Sequence, residues 1–348
     1  MLVDWNNVHR VLLIRLRSIG DTVLATPSLI ALKQFVPDVQ VDILLEDWVA
    51  PVLDGFNAVD NVVTVGKSAA SRFAAAREIW RTGYDVVFNL HGGTTATFFA
   101  CATGARNRIG YSHYQYKFLF DHVLTSSSDF WGRPVTHSAE QQLAMLGLAG
   151  VPVDAGIKSR LAVTERAAGS LEEKFSERSQ QQLSEFGEFA LMHPAAAFES
   201  KRWPSENFAR TAEFLARSGL RTVAVASKSE RGVLERLRRL SSAEITCFDD
   251  LTLPEITAFA SRAALFVGND SGIAHIAAAV GTPTVVIFGP SNFDHWRPWT
   301  DAPNEILKGE PITCVSAETV SGAIELVLAE KEKRRAVKPA AHKFHNGI

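Results

Sequence analysis

Short apolar runs alternate with amphipathic stretches through the first half of the chain. The apolar runs predict strands at residues 11–14, 39–45, 62–65 and 85–90, and the amphipathic stretches predict helices at 21–35 and 71–81. Continuous apolar runs of this length are typical of strands that are buried on both faces of a parallel sheet. Repeated βα units therefore predict an α/β domain with helices on both sides of the sheet.

The pattern changes between residues 151 and 187 and then restarts. Residues 165–188 are polar and rich in Gln, Ser and Glu, which predicts a helix or linker without a core strand. Strands are predicted again at 189–193, 222–226, 245–248, 265–267 and 284–288. Helices are predicted at 205–218 (opened by Pro204), 230–240, 254–261, 272–280 and 317–332.

Two Rossmann-like domains with parallel sheets follow from this restart. We expect an N-terminal domain at 1–160, a linker at 161–187 and a second domain at 188–316. The helix at 317–332 could pack back on the N-terminal domain. Residues 333–348 are expected to form a basic, flexible tail. Ligands of such sheets bind outside the carboxyl ends of the strands, so a cleft between two facing domains is predicted.

Composition narrows the class of protein. The chain has 348 residues, of which 46% are hydrophobic and 21% charged, with a formal net charge of −2. A near-neutral chain is not expected to bind duplex nucleic acid. Its three cysteines, Cys101, Cys247 and Cys314, form no CxxC pair, which argues against a disulfide framework or a zinc site. The first residues lack a signal-peptide pattern and no apolar run could span a bilayer, so a cytoplasmic protein with at most peripheral membrane contact is expected.

A polar motif follows the first predicted strand. Residues 18–27 read SIGDTVLATP, which puts Asp21 after a tight glycine turn at the mouth of the predicted cleft. One interpretation is helix capping, because Asp accepts backbone N–H bonds at a helix start. The other is a general base that takes a proton from an attacking hydroxyl. The GxGxxG fingerprint of dinucleotide binding does not follow this strand.

The second half carries cationic and helix-tip motifs in the same position after strands. Residues 193–197 (HPAAA) precede Lys201 and Arg202, which could neutralise a diphosphate or could lie on a solvated loop with Trp203 as its anchor. Residues 267–275 (VGNDSGIAH) run from strand to helix, which suits either phosphate binding at a helix N-terminus or simple capping. Glu230 could bind ribose hydroxyls or be an ordinary acidic residue of a first helical turn.

Together these motifs resemble the ADP-heptose:lipopolysaccharide heptosyltransferase family, glycosyltransferase family 9. The resemblance covers about residues 10–329 and is carried by GDTVLATP at 20–27, HP…KRWP at 193–204 and NDSGIAHIAAAVGTP…IFGP at 269–290. It implies a GT-B fold that binds acceptor with the N-terminal domain and nucleotide sugar with the C-terminal one. It also implies inverting transfer by direct displacement, without a metal or another cofactor.

The resemblance assigns roles residue by residue. Asp21 matches the catalytic base and Lys201 the phosphate-binding lysine. Ser271 stands where the family commonly has Thr, and the turn before Glu230 lacks the family's glycine. The donor-binding residues implied are His193, Ala195, Ala196, Lys201, Arg202, Glu230, Asp270, Ser271, Gly272 and His275.

An anionic core-sugar acceptor would need cations around the N-terminal half of the cleft. The basic candidates are Arg15, Arg17, Arg106 and Arg108, with Arg72 and Lys117 as further basic residues. A solvated face is the alternative for most of them. Gly20 and His91 are acceptor candidates by their position after strands. The expected partners are a nucleotide-sugar donor and a lipopolysaccharide core or other glycan acceptor, with a monomeric enzyme that closes on its donor. A nucleotide-sugar 2-epimerase of the same architecture and a non-catalytic relative remain alternatives.

Overall fold

The structure is a computed structural model that describes residues 2–337. It divides into two compact units. The first unit comprises residues 2–168 with Thr252–Ala258 and Asn292–Thr300, and the second comprises Gly169–Leu251, Phe259–Ser291 and 301–337. The chain therefore passes from one unit to the other several times rather than once. The part of the predicted basic tail from residue 338 onwards lies outside the described residues.

The first unit is built on a six-stranded parallel sheet with the order β3-β2-β1-β4-β5-β6. Buried positions on neighbouring strands align, as where Leu13 pairs with Ile43 and with Phe88. The strands are β1 Arg10–Ile14, β2 Gln40–Glu46, β3 Asn61–Val65, β4 Val86–Asn89, β5 Asn107–Tyr111 and β6 His122–Leu124. The helices are α1 Ile19–Val23, α2 Thr26–Phe35, α3 Ala69–Thr82, α4 Gly93–Ala102, α5 Ser127–Trp131 and α6 Ser138–Leu148.

The second unit is built on another six-stranded parallel sheet, ordered β12-β11-β10-β7-β8-β9. The strands are β7 Phe189–His193, β8 Arg221–Val225, β9 Ile245–Phe248, β10 Leu265–Asn269, β11 Thr284–Phe288 and β12 Asn304–Lys308. The helices from the linker onwards are α7 Glu165–Ser179, α8 Ser205–Arg217, α9 Arg231–Leu240, α10 Leu253–Arg262, α11 Gly272–Ala279, α12 Phe293–Trp296 and α13 Ala317–Val337. The predicted pair of Rossmann-like parallel sheets is thereby confirmed.

Both sheets have the doubly wound strand order, and this order positions the polar motifs. The order reverses between β1 and β4 in the first unit and between β7 and β10 in the second. Ligands of doubly wound sheets bind at the carboxyl ends of the strands on either side of such a switch point. A ligand site is therefore expected in each unit at the residues that directly follow these four strands.

Several elements differ from the sequence prediction. The helix expected at 21–35 is two helices, α1 and α2, and Pro27 lies in the first turn of α2, where its missing N–H costs no hydrogen bond. The sequence pattern predicts no elements at α4, β5, β6, α6 or β12. The strands were missed because runs such as Asn107–Tyr111 (NRIGY) mix polar residues and glycine into a short segment.

The last helix is longer than predicted and packs in a different place. α13 continues to Val337, so residues 333–337 of the expected tail are helical. Its buried Val320 and Ile324 belong to the core cluster that contains Ala209 and Leu215 of α8. This helix thus packs on the second unit, because its apolar stripe completes the core of that unit.

Candidate functional site

The first-unit site lies at the carboxyl ends of β1 and β4 and consists of Arg15, Asp21, Asn89, His91 and His295. The Arg15 guanidinium forms an ion pair with the Asp21 carboxylate and also donates to the carbonyl of Leu90. The second oxygen of Asp21 accepts hydrogen bonds from the backbone N–H and the hydroxyl of Ser18, at 3.1 and 3.0 Å. Capping of α1 by Asp21 is therefore present, together with a cationic partner that a capping role does not require.

These contacts keep Asp21 ionised. Burial of the carboxyl acts to raise its pKa, but the Arg15 charge and the Ser18 hydrogen bonds outweigh burial and lower the pKa below the ordinary aspartate value. The side chain is 19% exposed, so a ligand can still reach it. Asp21 is thus a charged, oriented proton acceptor at neutral pH.

Two histidines near this pair are held neutral. Burial lowers the pKa of His91, and the Arg15 charge lowers it further. Burial likewise lowers the pKa of His295, whose ring lies within the electrostatic reach of Asp21 and Arg15. The side-chain amide of Gln141 contacts His295 Nδ1 at 3.2 Å. Both rings are therefore polar groups without charge beside the ion pair.

His295 was missed by sequence reasoning because it lies far along the chain, after β11. It belongs to the segment Asn292–Thr300, which folds with the first unit. Trp299 fixes this segment by stacking on His137 with 4.4 Å between ring centroids and by donating to the carbonyl of Ile157 at 2.8 Å. The aromatic pattern of residues 296–299 (WRPW) was the available signal, but periodicity alone does not say which unit such a segment joins.

Buried hydrogen-bond donors also mark the first-unit site as polar. The Asn89 side-chain oxygen accepts from the backbone N–H groups of His91 and Gly92, at 3.1 and 2.9 Å. Within residues 2–337, neither Asn89 Nδ2 nor Arg15 Nε has a hydrogen-bond partner. Buried donors without a hydrogen-bond partner are uncommon in proteins, and their presence here is consistent with a ligand site. The hydroxyl of Tyr114 donates to the Asn89 carbonyl at 3.0 Å, and burial raises the pKa of Tyr114 to about 12.

The predicted acceptor residues are not all brought together. Arg15, Gly20 and His91 lie at this site, and Arg17 is exposed nearby, 3.9 Å from Glu46. Arg106 and Arg108 lie at the start of β5, and in a parallel sheet that is the edge opposite the carboxyl ends. Arg108 is also paired with Asp121, at 3.0 Å from Nε. These two arginines therefore do not belong to the first-unit site.

The second-unit site lies at the carboxyl ends of β7 and β10 and consists of His193, Lys201, Asn269, Asp270 and Ser271. Lys201 Nζ donates to Asp270 Oδ2 at 2.6 Å. The lysine side chain is 27% exposed and the aspartate side chain 6%. The cation is thus the accessible member of a pair whose anion is buried, which is the arrangement needed to offer positive charge to a ligand.

A buried asparagine organises the loop around this pair. Asn269 Nδ2 donates to the carbonyl of Pro194 at 2.9 Å, and its Oδ1 accepts from the backbone N–H of Trp203 at 3.0 Å. Arg202 Nε donates to the carbonyl of Ala196 at 2.9 Å. The loop that contains Ala195 and Ala196 is therefore tied to the segment that carries Lys201.

The tip of α11 completes the second-unit site. Ser271 occupies the N-cap position, yet its hydroxyl does not cap the helix and, in the described part of the chain, is buried without a hydrogen-bond partner. The next residue, Gly272, opens the helix, and its first backbone N–H groups have no intrahelical acceptors. His275 is buried one turn further along. A helix tip of this kind, next to Lys201, suits an anion.

The two remaining predicted donor residues have local roles in the structure. His193 Nδ1 donates to the carbonyl of Val225 at 2.8 Å, and burial lowers the pKa of the ring, so the ring is neutral. Glu230 accepts from the Ser227 hydroxyl and backbone N–H, at 2.6 and 3.2 Å, in a capping box. The carboxylate of Glu230 is half-buried and already engaged, so a nucleotide would have to share it.

Among residues 2–337, no group of three or more His, Cys, Asp and Glu side chains has an arrangement that could hold a metal ion. Among the helices of the same residues, none has the length and apolar character needed to cross a bilayer.

Comparison with known proteins identifies the family. The sequence profile of glycosyltransferase family 9 (heptosyltransferase) matches residues 72–324, more than half of the 348 residues. The chain is 27% identical over 295 residues to lipopolysaccharide heptosyltransferase 3 of Escherichia coli K12, which covers 81% of this chain and 83% of that protein. It is 24% identical over 312 residues to lipooligosaccharide heptosyltransferase 2 of Haemophilus influenzae, covering 84% of this chain and 88% of that protein.

Solved structures show the same fold. A family 9 glycosyltransferase from Veillonella parvula superposes with a TM-score of 0.83 at 22% identity, covering 92% of this chain and 98% of that one. The E. coli ADP-heptose lipopolysaccharide heptosyltransferase II superposes with a TM-score of 0.76 at 19% identity, covering 93% and 99%. The predicted GT-B fold class is confirmed by these likenesses. With its profile match over most of the chain, this protein belongs to glycosyltransferase family 9, the heptosyltransferase family.

Proposed function

We propose that the chain transfers a heptosyl group from ADP-heptose to the core of a lipopolysaccharide acceptor, with inversion at the anomeric carbon. The single observation that carries this proposal is the pair of complementary sites in one family 9 chain. One is an ionised, oriented carboxylate, Asp21, and the other is an accessible cation beside a helix tip, Lys201 with Ser271. Direct displacement at a sugar needs these two groups and no covalent intermediate.

The second-unit site supports donor binding. The Lys201 ammonium would neutralise diphosphate oxygens, and the N–H groups at the start of α11 would bind the same anion. The Ser271 hydroxyl, which has no hydrogen-bond partner among the described residues, is a further group for the diphosphate. Similar solved structures include an E. coli heptosyltransferase with ADP and the same enzyme with ADP-2-deoxy-2-fluoro heptose, which makes ADP-heptose the first donor to test.

The first-unit site supports the base role. The acceptor hydroxyl attacks the anomeric carbon, the bond from that carbon to the diphosphate oxygen breaks, and ADP leaves with the bonding electron pair. The proton of the hydroxyl passes to Asp21, and Lys201 stabilises the charge that develops on the leaving diphosphate. The reaction requires that a donor held by the second-unit site reach Asp21, and water must be kept from the anomeric carbon meanwhile.

The neutral histidines and Arg15 would orient the acceptor. His91 and His295 can donate and accept hydrogen bonds to sugar hydroxyls, and the exposed Arg17, whose ion pair with Glu46 is long at 3.9 Å, would meet an anionic core sugar. An acceptor of this class is anchored in the cytoplasmic face of a membrane, so the proposed enzyme works in the cytoplasm as a peripheral protein. We infer a monomer, since the two sites of one chain supply all the groups of the proposed reaction.

The experiment is an acceptor-dependence assay with purified protein. ADP release is measured with ADP-heptose alone, with a heptose-deficient core oligosaccharide alone, and with both, and the anomeric configuration of the product is read by proton NMR. The proposal expects ADP release that needs both substrates and a product with inverted configuration. Release that does not depend on the acceptor, or retention of configuration, would refute it.

A nucleotide-sugar 2-epimerase is the second candidate, because an epimerase structure from Listeria monocytogenes has a similar fold, with a TM-score of 0.50 at 14% identity. That likeness concerns the fold alone. Incubation with UDP-N-acetylglucosamine discriminates between the two, because an epimerase would change the sugar at C2 without any acceptor. Asp21→Asn is the matched variant, since it should lower transfer strongly and leave ADP binding unchanged.

A further inference from the structure

One layer of the first unit has an unusual outer surface. Helices α3 and α4 and the short 3-10 helix Lys117–Leu119 cover the same face of the sheet, because Ile79, Phe99 and the neighbouring Phe120 belong to one core cluster. The other face of this layer points away from the sheet. We call this outer face, defined by Phe73, Arg77, Trp80, Arg81, Phe98, Lys117 and Phe118, the aromatic–basic patch.

Large aromatic side chains are exposed on this patch. Trp80 is 67% exposed, and the other exposed rings are Phe73, Phe98 and Phe118, at 71%, 52% and 78%. Phe73 and Trp80 are seven residues apart and thus lie on one stripe of α3, nearly opposite the buried Ala75 and Ile79. Scattered single hydrophobics are ordinary on a protein surface, but Phe73 and Trp80 form one exposed apolar stripe on a single helix, and a contiguous exposed apolar surface of this kind marks an interaction site.

Basic side chains accompany these rings. Arg77 and Arg81 lie on the same outer side of α3 and line a groove of about 380 Å³ with Glu78. Within residues 2–337, neither arginine has an ion-pair partner. The exposed Lys117 adds another cation beside Phe118. Glu78 is the one acidic residue of α3, so the outer side of that helix is net positive.

We propose that the aromatic–basic patch docks this enzyme on an anionic lipid surface. Aromatic side chains flanked by Lys and Arg are the combination that binds the headgroup region of a bilayer, where rings enter the interface and cations meet lipid phosphates. Charge complementarity favours this partner over a second copy of the chain. A two-fold dimer through this patch would bring two net-positive surfaces together, which is unfavourable.

The inference rests on the proposed function in one respect: a membrane-anchored acceptor is what docking would bring within reach. It adds the surface that does so, and that surface is separate from Asp21 and Lys201. Vesicle binding requires neither donor nor acceptor, so the docking proposal is tested independently of catalysis.

The test is flotation of the full chain with vesicles that contain no acceptor. Mixed phosphatidylglycerol–phosphatidylethanolamine vesicles provide the anionic surface, and phosphatidylcholine vesicles are the neutral reference. We expect partition onto anionic vesicles that falls with added salt. Arg77→Gln with Arg81→Gln should weaken it about thirty-fold, since two basic residues lose their attraction to the surface. Phe73→Ala with Trp80→Ala should weaken it about tenfold.

The matched control is Arg239→Gln with Leu326→Ala, which removes an exposed arginine and an exposed apolar side chain from the second unit. The control should bind vesicles like the wild type. Thermal unfolding checks that every variant is folded, and transfer to a delipidated core oligosaccharide should be equal for all of them. Wild-type protein that ignores anionic vesicles, or α3 variants that bind as the wild type does, would overturn the proposal. So would light scattering that shows a dimer broken by the same substitutions, since the patch would then be a contact between copies.

Discussion

Lys201 and Asp270 give the sharpest test of the second-unit site, through Lys201→Met and Asp270→Asn. The methionine keeps the length and the apolar stem of the lysine and removes the charge. Asp270 would then be a buried carboxylate that has lost its cation. The asparagine keeps the shape of Asp270 and leaves the Lys201 charge in place. The two variants therefore separate the structural role of the pair from its role toward a ligand.

The magnitudes follow from the burial of each partner. Breaking a fully buried ion pair costs about 3–5 kcal/mol of unfolding free energy, but the lysine is 27% exposed and water screens part of the loss. We therefore expect Lys201→Met to cost about 2 kcal/mol, close to the value of a hydrogen bond to a charged group. If Lys201 also meets the diphosphate, the same variant loses a charge-assisted bond of about 1.5–3 kcal/mol, or about ten- to 150-fold in ADP affinity.

Urea unfolding without ligand and calorimetric titration with ADP measure these two quantities. Asp270→Asn should also lower stability, but it leaves the lysine free for the ligand, so ADP affinity should be kept or raised. The double variant shows how far the two effects couple. If Lys201→Met loses stability and still binds ADP as tightly as the wild type, the lysine is only the partner of Asp270, and the reasoning about the donor is refuted.

Further predictions concern single residues of both sites. Asp21→Asn should lower transfer about 10²- to 10⁴-fold, with ADP affinity by calorimetry unchanged. Because folding lowers the pKa of Asp21, its charge stabilises the fold at any pH above the pKa of the unfolded chain, and this stabilisation is lost only as the pH falls through the pKa of the folded state. Asp21 should therefore stay ionised between about pH 5 and 8, and kcat/KM should show no protonation of this base in that range. Arg15→Gln removes the cation that lowers this pKa and should move the acid limb of kcat/KM upward. Asn269→Ala leaves buried backbone groups unpaired and should cost about 2–3 kcal/mol in urea unfolding. Trp299→Ala should cost about 3–5 kcal/mol, and an unchanged midpoint would contradict the packing of residues 292–300 on the first unit.

Apolar periodicity was sufficient for the strands that are buried on both faces. β7 and β11 are buried at every position and have the predicted bounds, because each is an apolar run that ends at a polar residue or before a glycine. The edge strand β9 also has the predicted bounds although its two central residues are partly exposed. It failed for β5 and β12, whose polar residues are tolerated because the strands lie toward the sheet margin or are partly exposed. An apolar run reveals a strand only where its side chains are buried, so a half-exposed strand is not predicted from the sequence pattern.

The candidate site was predictable where a functional residue directly follows a strand. Asp270 continues β10, and His91 follows β4 almost directly, so topology alone brings them to the carboxyl edge. Arg106 and Arg108 were assigned to the wrong edge of the sheet, because the basic character of a residue does not indicate at which end of a strand the residue lies. His295 was missed because its neighbours come from the opposite end of the chain. Contacts of this kind depend on tertiary packing and have no local signature.

A lowered pKa first looks unsuited to a general base, since proton transfer is most efficient when the pKa of the base lies near the working pH. In the proposed displacement, however, the hydroxyl loses its proton while its oxygen bonds to an electron-poor anomeric carbon. The O–H proton becomes strongly acidic as that bond forms. A weak base is then sufficient, provided that it is ionised and correctly oriented when the bond forms. The Arg15 and Ser18 contacts supply both conditions, because they hold the carboxylate charged and fix the direction of its oxygens. Positioning, rather than basicity, is therefore the property of Asp21 that this site has been built to provide, and Arg15→Gln should slow transfer even at a pH where Asp21 remains fully ionised.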